Sequence, residues 1–241
     1  MPIIYRKSIR DMMIKYRATL LAILALTIGL WGVGSLLVSM HIMTNDLTEN
    51  FLQTEPIHVA VISEDFNKLE LEELITNPDI QVAEFRDKAT LRIEVKQDEW
   101  LPLWLYSVDE FEHLSIAKIF QKIGSYPPAE NTILIERNIQ KVADFGLGSV
   151  ARVQSRGKII ETAVSGIVFD PGQAPSTQDA IVYAYTSKQN YHRITRAPVK
   201  QRLIIRFSNV ETKRDVKAKF QKLSDEFLRQ GIRIKSFKIP N

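Results

Sequence analysis

Histidine is the side chain most often used as a catalytic base or metal ligand, and it occurs here four times, at His41, His58, His113 and His192. These histidines lie far apart, without metal-ligand spacing, and neither G-x-S-x-G nor H-E-x-x-H is present. The chain has no cysteine, which excludes disulfides, thiolate metal sites and a cysteine nucleophile. The sequence therefore predicts no catalytic residue, no metal or cofactor site, and no enzymatic activity.

A glycine-containing segment and an acidic cluster are two further candidates for a binding or catalytic site. The segment FGLGSVARVQSRGK does not have the spacing of a phosphate-binding loop, because Gly148 and Gly157 lie too far apart. Lys158 falls in a predicted hairpin turn, so we expect no ATP site in this chain. The acidic cluster consists of Asp109, Glu110 and Glu112. We interpret it as a solvated surface.

The segment VSGIVFDPGQAP, residues 164–175, ends an apolar strand with a stiff turn. Proline presets φ and glycine accepts positive φ, so Asp170, Pro171 and Gly172 predict a tight turn that Pro175 keeps rigid. A structural turn is the simplest interpretation. The alternative is a loop on a substrate or partner surface, and these four residues are the candidate partner loop.

Residues 18–40 contain no charge and predict a transmembrane helix. At about 1.5 Å per residue they span roughly 34 Å, enough to cross a hydrocarbon core of about 30 Å. Residues 1–40 hold five basic residues and one acidic residue, which accounts for the whole net charge of +4. We expect residues 1–17 to form a cytoplasmic basic tail and the bulk of the chain to be extracytoplasmic, as in a single-pass plasma (inner) membrane protein. The balanced remainder argues against nucleic-acid binding. A cleavable signal peptide or a buried core helix are the alternatives.

One face of this span is rich in small residues, which let a second helix approach closely. They lie at heptad-like spacing, interrupted by Leu36. The predicted helix-packing face consists of Ala18, Ala22, Ala25, Gly29, Gly32 and Ser39. Ala and Gly are also common in spans for no such reason, so this face is a hypothesis about a partner helix.

The remaining pattern predicts an α+β fold after the membrane helix. Residues 41–56 read as a helical extension that stops before Pro56. A βαβ-type unit opens the outer region and another closes it, giving a split α+β subdomain from 57–108 and 199–239. The closing unit contains an amphipathic helix over 209–230, with Asn209 as its predicted cap. Residues 109–198 predict an inserted β-rich subdomain.

This order of elements resembles the front half of a MacB/FtsX-like ABC transporter permease, over nearly the whole chain. The residues that carry the resemblance are Ile133-Leu134-Ile135-Glu136-Arg137, Gly146-Leu147-Gly148, Ser165-Gly166-Ile167-Val168, Asp170-Pro171-Gly172 and Ala174-Pro175. Ser149 departs from the family, which often has aspartate there. In the family, three more membrane helices and the ATPase contact follow the closing βαβ unit. This sequence ends at Asn241, which fits either a truncated permease or one half of a split permease. We expect further permease helices and an ABC ATPase subunit in trans.

The resemblance implies a membrane-anchored extracytoplasmic part of an ABC permease, of the export or lipoprotein-handling type. Such a part transmits ATPase-driven motion to a substrate or an extracytoplasmic adaptor and has no ATPase site of its own. The alternative is a single-span adaptor or assembly protein that acts by binding, without a transporter. An anchored enzyme is a third class, against which the missing nucleophile, base and metal set argues. A cleft between the two subdomains is a place for a small molecule, but the sequence names no ligand.

Overall fold

The computed structural model describes residues 14–69 and 71–240. The chain divides into two compact units, residues 1–49 and 50–241. The helices are α1 (Tyr16–Gln53), α2 (Leu71–Ile75), α3 (Ser176–Asp179), α4 (Lys188–Thr195) and α5 (Lys213–Arg229), with 3-10 turns at Phe66–Lys68 and Arg137–Lys141. The strands are β1 (Val59–Ile62), β2 (Ile80–Phe85), β3 (Lys88–Lys96), β4 (Glu99–Val108), β5 (Phe120–Gly124), β6 (Thr132–Glu136), β7 (Val150–Ser155), β8 (Lys158–Phe169), β9 (Val182–Ser187), β10 (Arg202–Phe207) and β11 (Ser236–Lys238).

Helix α1 is long and apolar enough to cross a membrane, and it is alone in this among the residues that the structure describes. Its most apolar window has a mean hydropathy of 2.2. The hydroxyl of Thr27 donates to the Ile23 carbonyl at 2.8 Å, so this polar group needs no partner outside the helix. The helix continues past residue 40 and ends at Gln53, shortly before Pro56. Residues 1–13 of the predicted basic tail lie outside the described part of the chain.

The first sheet has four strands in the order β11-β1-β10-β2. Each neighbouring pair is antiparallel, so β1 and β2 run parallel to each other, as do β10 and β11. Two split β-α-β units, β1–α2–β2 and β10–α5–β11, therefore interleave, each placing a strand between the two strands of the other. This is the ferredoxin-like topology.

The core of this sheet lies on the face covered by α2 and α5. The stripe of α5, which consists of Val216, Phe220, Leu223 and Phe227, is buried against Val59, Val61, Leu203 and Ile205 of the sheet. Phe66 makes edge-to-face contacts with Phe85 and Phe227, at ring-centroid distances of 5.7 and 6.0 Å. Because β-strand side chains alternate, Ala60 and Ile204 point to the opposite face. That opposite face lines the cleft described below.

The second sheet has the strand order β5-β8-β6-β9-β4-β3-β7. An additional antiparallel pairing joins β7 to β8, which closes six of these strands into a barrel and leaves β5 attached to the outside of β8. The twelve-residue length of β8 allows this, since its first half pairs with β7 and its second half with β5 and β6. Closure removes the free edges that these strands would otherwise expose.

Strands β4, β6 and β9 are buried on both faces, which explains their continuous apolar sequences LPLWLYSV, TILIE and VYAYTS. Leu103 and Leu105 of β4 point into the barrel core, together with Val182 and Ala184 of β9. Their neighbours Tyr106, Val108, Tyr183 and Tyr185 point outward and are covered by Phe111 and Ile119 from the segment before β5. A strand with two covered faces has no polar side to alternate with.

The observed boundary between the two sheets differs from the expected split. Only β1 and β2 of residues 57–108 belong to the four-stranded sheet, whereas β3 and β4 belong to the barrel. The apolar pattern of a short segment can indicate a strand, but it carries no information about the sheet in which that strand pairs. In general form the structure is the expected mixed α/β fold, with one N-terminal helix that could span a membrane and a β-rich domain.

Candidate functional site

A cleft of about 730 Å³ lies between the open face of the four-stranded sheet and the outer face of the barrel. Ala60 of β1, Arg202 of β10 and Lys238 of β11 line it on one side. Lys88 of β3 and Trp104 of β4 line it on the other. Cavities of this size are typical of small-molecule sites, which makes the cleft the candidate functional site.

The barrel side of the cleft is an aromatic wall with a lysine on it. Trp104 and Tyr106 of β4 line this side, and behind them they pack against the buried Tyr183 and Tyr185 of β9, at ring-centroid distances of 5.5 and 5.4 Å for the two cross-strand pairs. The ammonium nitrogen of Lys88 lies 2.9 Å from the Trp104 ring centroid. This wall presents a cation above an electron-rich surface.

Lys88 is the unusual charge of the cleft. Burial, together with the smaller effect of the positive charges of Arg202 and Lys238, lowers the pKa of its amine to about 8. Within the described residues the amine has no carboxylate or hydrogen-bond partner, and it lies over the Trp104 and Tyr106 rings. Arg202 and Lys88 lie 6.0 Å from the same Tyr106 centroid, so two cations face one part of the cleft.

The predicted partner loop borders this cleft. Asp170 and Gly172 are among its lining residues, and the Asp170 carboxylate is buried. That carboxylate accepts a hydrogen bond from the Gly172 amide at 2.8 Å and another from the Tyr185 hydroxyl. Burial raises the pKa of Asp170, and these two hydrogen bonds oppose the rise. Asp170 thus ties the loop to the aromatic wall, while Gly172 and Pro175 are exposed.

A second buried carboxylate holds together the two chain segments that cross between the sheets. Asp87 follows β2, and its side chain accepts three backbone N–H bonds from Lys200, Gln201 and Arg202, at 2.7, 2.7 and 2.9 Å. The Arg86 amide also donates to the Arg202 carbonyl at 2.9 Å. The entry and exit of the barrel are therefore fastened side by side at the edge of the cleft.

The segment after α1, residues 54–58, is fixed to both parts of the outer domain. Arg206 of β10 forms an ion pair with Glu55 at 3.1 Å and donates to the Pro56 carbonyl at 2.8 Å. The carbonyls of Thr54 and Glu55 accept hydrogen bonds from Lys118 and Ala117, at 2.8 and 3.0 Å, in the segment that leads into β5. These contacts fasten residues 54–56 to the rest of the outer domain.

The structure does not gather the other sequence candidates into a site. No group of three or more His, Asp or Glu side chains with metal-binding geometry occurs among the residues that the structure describes. His58 accepts from the Phe207 amide at 3.0 Å, and His192 bonds the Ala197 carbonyl at 2.8 Å. In the acidic cluster, Asp109 pairs with Lys188.

The predicted helix-packing face lies within α1, at residues 18–39. A Cβ atom added at Gly29 or Gly32 would meet nothing within 4 Å. Nothing in the described part of the chain therefore covers these two glycines. Whether a second helix does so is part of the proposal below.

The cleft residues Lys88, Trp104, Asp87 and Arg202 were not candidates from the sequence. Asp87 and Arg202 are separated by more than a hundred residues, so no local spacing could connect them. The only local signal was Lys88, at the start of the alternating segment that forms β3. In the sequence alone, such a lysine is interpreted as an ordinary solvated charge.

No protein family model matches this sequence, and no curated protein matches it. Among solved structures, similarity is found to extracytoplasmic domains of transporters and permeases. The periplasmic region of MacB from Actinobacillus actinomycetemcomitans is 12% identical with a TM-score of 0.46, covering 77% of this chain and 90% of that one. The extracellular domain of the noncanonic ABC-type transporter YknZ from Gram-positive bacteria is 9% identical with a TM-score of 0.47, covering 77% and 99%.

A domain of a putative permease from Porphyromonas gingivalis is also similar, at 11% identity and a TM-score of 0.42, covering 76% of this chain and 91% of that one. MacB, whose family the sequence resembles, is thus among the similar structures. Identities of 9–12% and TM-scores below 0.5 do not transfer a substrate, a partner or a mechanism to this chain.

Proposed function

We propose that this chain is the membrane-anchored, extracytoplasmic part of an ABC-type permease system, of the export or lipoprotein-handling kind. The tail before α1 stays in the cytoplasm, as its basic residues favour, and α1 crosses the plasma membrane. ATP hydrolysis by a separate subunit moves membrane helices, and the outer domain passes this motion to a substrate or an adaptor.

The observation that carries the proposal is the set of bonds that fasten the junction at residues 54–58 to the outer domain. Arg206 fastens it to the four-stranded sheet, and the amides of Ala117 and Lys118 fasten it to the segment that leads to β5. A segment that only linked an anchor to a binding domain would not need bonds to both parts. Bonds to both parts favour a domain that moves as one body when its anchor moves.

The small-residue face of α1 is the proposed contact with the missing permease helices. The small residues, from Ala18 to Ser39, allow close helix approach, which is how spans associate when lipid gives no hydrophobic driving force.

The test uses the full chain, which contains no native cysteine. Tagged protein is purified from membranes in mild detergent, and an ABC ATPase and a multi-span protein are expected to co-purify. Ala25→Cys is expected to cross-link to a partner span. Thr27→Cys is the matched control, because at 100° per residue it lies on the opposite side of the helix from Ala25. Equal cross-linking of the two variants would contradict the proposed face.

Rigid transmission has a separate test in the purified complex. Spin labels at Lys158→Cys on the barrel and Lys217→Cys on α5 report the distance between the two parts of the outer domain. Trapping the ATPase with ATP and vanadate is expected to change the labelling rate at Ala25→Cys while that distance stays constant. A change of several ångströms between the labels would contradict transmission by a rigid body.

The cleft favours a second candidate function, a single-span adaptor that acts by binding. Its lysine has no carboxylate partner among the described residues, as expected for a site that awaits an anion. This function predicts a bound ligand or partner with no ATPase in the purified material, so the same purification distinguishes the two.

A further inference from the structure

We propose that the cleft between the four-stranded sheet and the barrel binds an anionic amphiphile, a molecule with one phosphate or carboxylate head joined to an apolar tail. Lys88 and Arg202 receive the head, and the apolar surface of the cleft receives the tail. This inference does not depend on the proposed function, because it rests only on the residues that line the cleft.

The head-group position follows from the two cations. Lys88 and Arg202 both lie 6.0 Å from the Tyr106 ring centroid, on opposite walls of the cleft. Lys238 lies opposite Ala60 in the sheet register and therefore on the same face as Arg202. An anion placed between them accepts charge-assisted hydrogen bonds from both walls, and these are stronger than bonds between neutral groups.

Among the described residues, no carboxylate forms an ion pair with Lys88 or Arg202. The oxygens of Asp87 accept from three backbone amides, and those of Asp170 accept from Gly172 and Tyr185. The guanidinium of Arg202 donates to the Arg86 carbonyl at 2.9 Å. The cleft thus keeps positive charge in a half-buried place. This is costly in a site without a ligand and favourable when an anion enters.

The tail position follows from the apolar lining. Ile57, Ala60 and Ile62 lie on the sheet side of the cleft, and Trp104 lies on the barrel side. Phe51, before the junction, and Ile239, after β11, extend this apolar surface. A purely inorganic anion would leave this surface in contact with water, whereas a tail of several carbons would cover it.

The experiment uses Trp104 as its reporter. The chain has three tryptophans, so Trp31→Phe and Trp100→Phe together leave Trp104 as the single emitter. This full-length variant is placed in nanodiscs of phosphatidylcholine and titrated with octyl phosphate. A saturable change in Trp104 emission is expected. Octanol and inorganic phosphate, each lacking one half of the ligand, are expected to bind at least about tenfold more weakly, since one charge-assisted bond is worth about that factor.

Substitutions assign the response to the cleft. Lys88→Gln is expected to weaken octyl phosphate binding about tenfold, and Lys238→Gln several-fold. Lys217→Gln is the matched control, because Lys217 is exposed on α5 away from the cleft, and its affinity is expected to be unchanged. Lys238 is exposed on an edge strand, so its variant keeps the test valid if Lys88→Gln does not fold.

Further arms identify the source of the ligand and the result that overturns the proposal. If nanodiscs containing phosphatidylglycerol change Trp104 emission without added ligand, the amphiphile is a membrane lipid; if only octyl phosphate does so, it is a free amphiphile. Absence of a saturable response, or equal affinity for Lys88→Gln and the parent, overturns the proposal. Tighter binding of an acidic peptide than of octyl phosphate also overturns it.

Discussion

Replacing Asp87 by asparagine is expected to destabilise the outer domain by about 3 kcal/mol. The two carboxylate oxygens accept three backbone N–H bonds, of which Oδ1 accepts those of Gln201 and Arg202 and Oδ2 accepts that of Lys200. Asparagine keeps one oxygen, so two bonds weaken because the charge is lost. At the other position an amide N–H₂ opposes the Lys200 N–H, which leaves a buried donor unsatisfied. Each such loss costs about 1–3 kcal/mol. Because losses at one carboxylate are not additive, we expect a total near the upper end of this range, about 3 kcal/mol.

The assay is denaturant unfolding of the full chain in mild detergent, followed by the fluorescence of its tryptophans. A loss of about 3 kcal/mol corresponds to a melting temperature lower by roughly 6–12 °C for a domain of this size. Amide exchange should accelerate at residues 200–202 before it does in the barrel core. Asp144→Asn is the matched control, because Asp144 is exposed. If Asp87→Asn unfolds within about 0.5 kcal/mol of that control, the three-bond carboxylate does not hold the crossing segments together.

Three other outcomes are expected. Gly166→Ala should destabilise by about 2 kcal/mol or more in thermal unfolding, because its Cβ would lie 2.5 Å from the Ser125 carbonyl oxygen, and an unchanged midpoint would contradict this. Burial and the nearby Arg202 and Lys238 lower the pKa of Lys88 to about 8 from 10.5, so its buried charge destabilises the fold below pH 8; this cost fades above pH 8, where the folded state loses the proton before the unfolded state does. Unfolding free energy should rise by about 1 kcal/mol from pH 8 to 10.5, after allowance for solvent, and Lys88→Met should lack this rise. Thr212→Ala should cost about 1 kcal/mol, since it removes the reciprocal capping box with Asp215; no loss by circular dichroism melting would argue against the cap.

Local patterns predicted the elements well where one periodicity dominated. The stripe from Val216 to Phe227 identified α5, because its apolar residues recur at every third or fourth position, and these are the residues buried against the sheet. The predicted cap at Asn209 was wrong: Thr212 caps the helix, because Asp215 three residues later completes the reciprocal pair. Asn209 instead has a φ of +49° in the preceding turn.

Elements without a clear apolar rhythm were missed. Helix α4 was not predicted, because half of its buried residues are polar, Asn190 and Thr195 among them. Asn190 is buried and donates hydrogen bonds to Thr132 and Thr186. A hydrophobicity pattern assigns such a polar residue to the surface. Strand β5 has mostly exposed residues and pairs only with β8, so its sequence carries little strand signal.

The candidate site was predictable only in its local part. Asp170 belongs to a recognisable turn, and the structure gives that turn a position on the cleft. The cations and aromatic residues of the cleft come from β3, β4 and β10, and they meet because two sheets face each other. Which strands share a sheet depends on non-local pairing, and a single sequence does not encode this in any short window.

The side-by-side fastening of Arg86 and Arg202 has a consequence for how this architecture can be engineered. Strands β2 and β10 are antiparallel neighbours, and Arg86 lies beside Arg202 at their ends. Everything between Asp87 and Gln201 therefore occupies the place of a hairpin loop. The barrel is thus a domain inserted into a loop of the four-stranded sheet. Replacing it by a tight two-residue turn should leave that sheet connected, and the barrel could be inserted into another ferredoxin-like protein at the same loop.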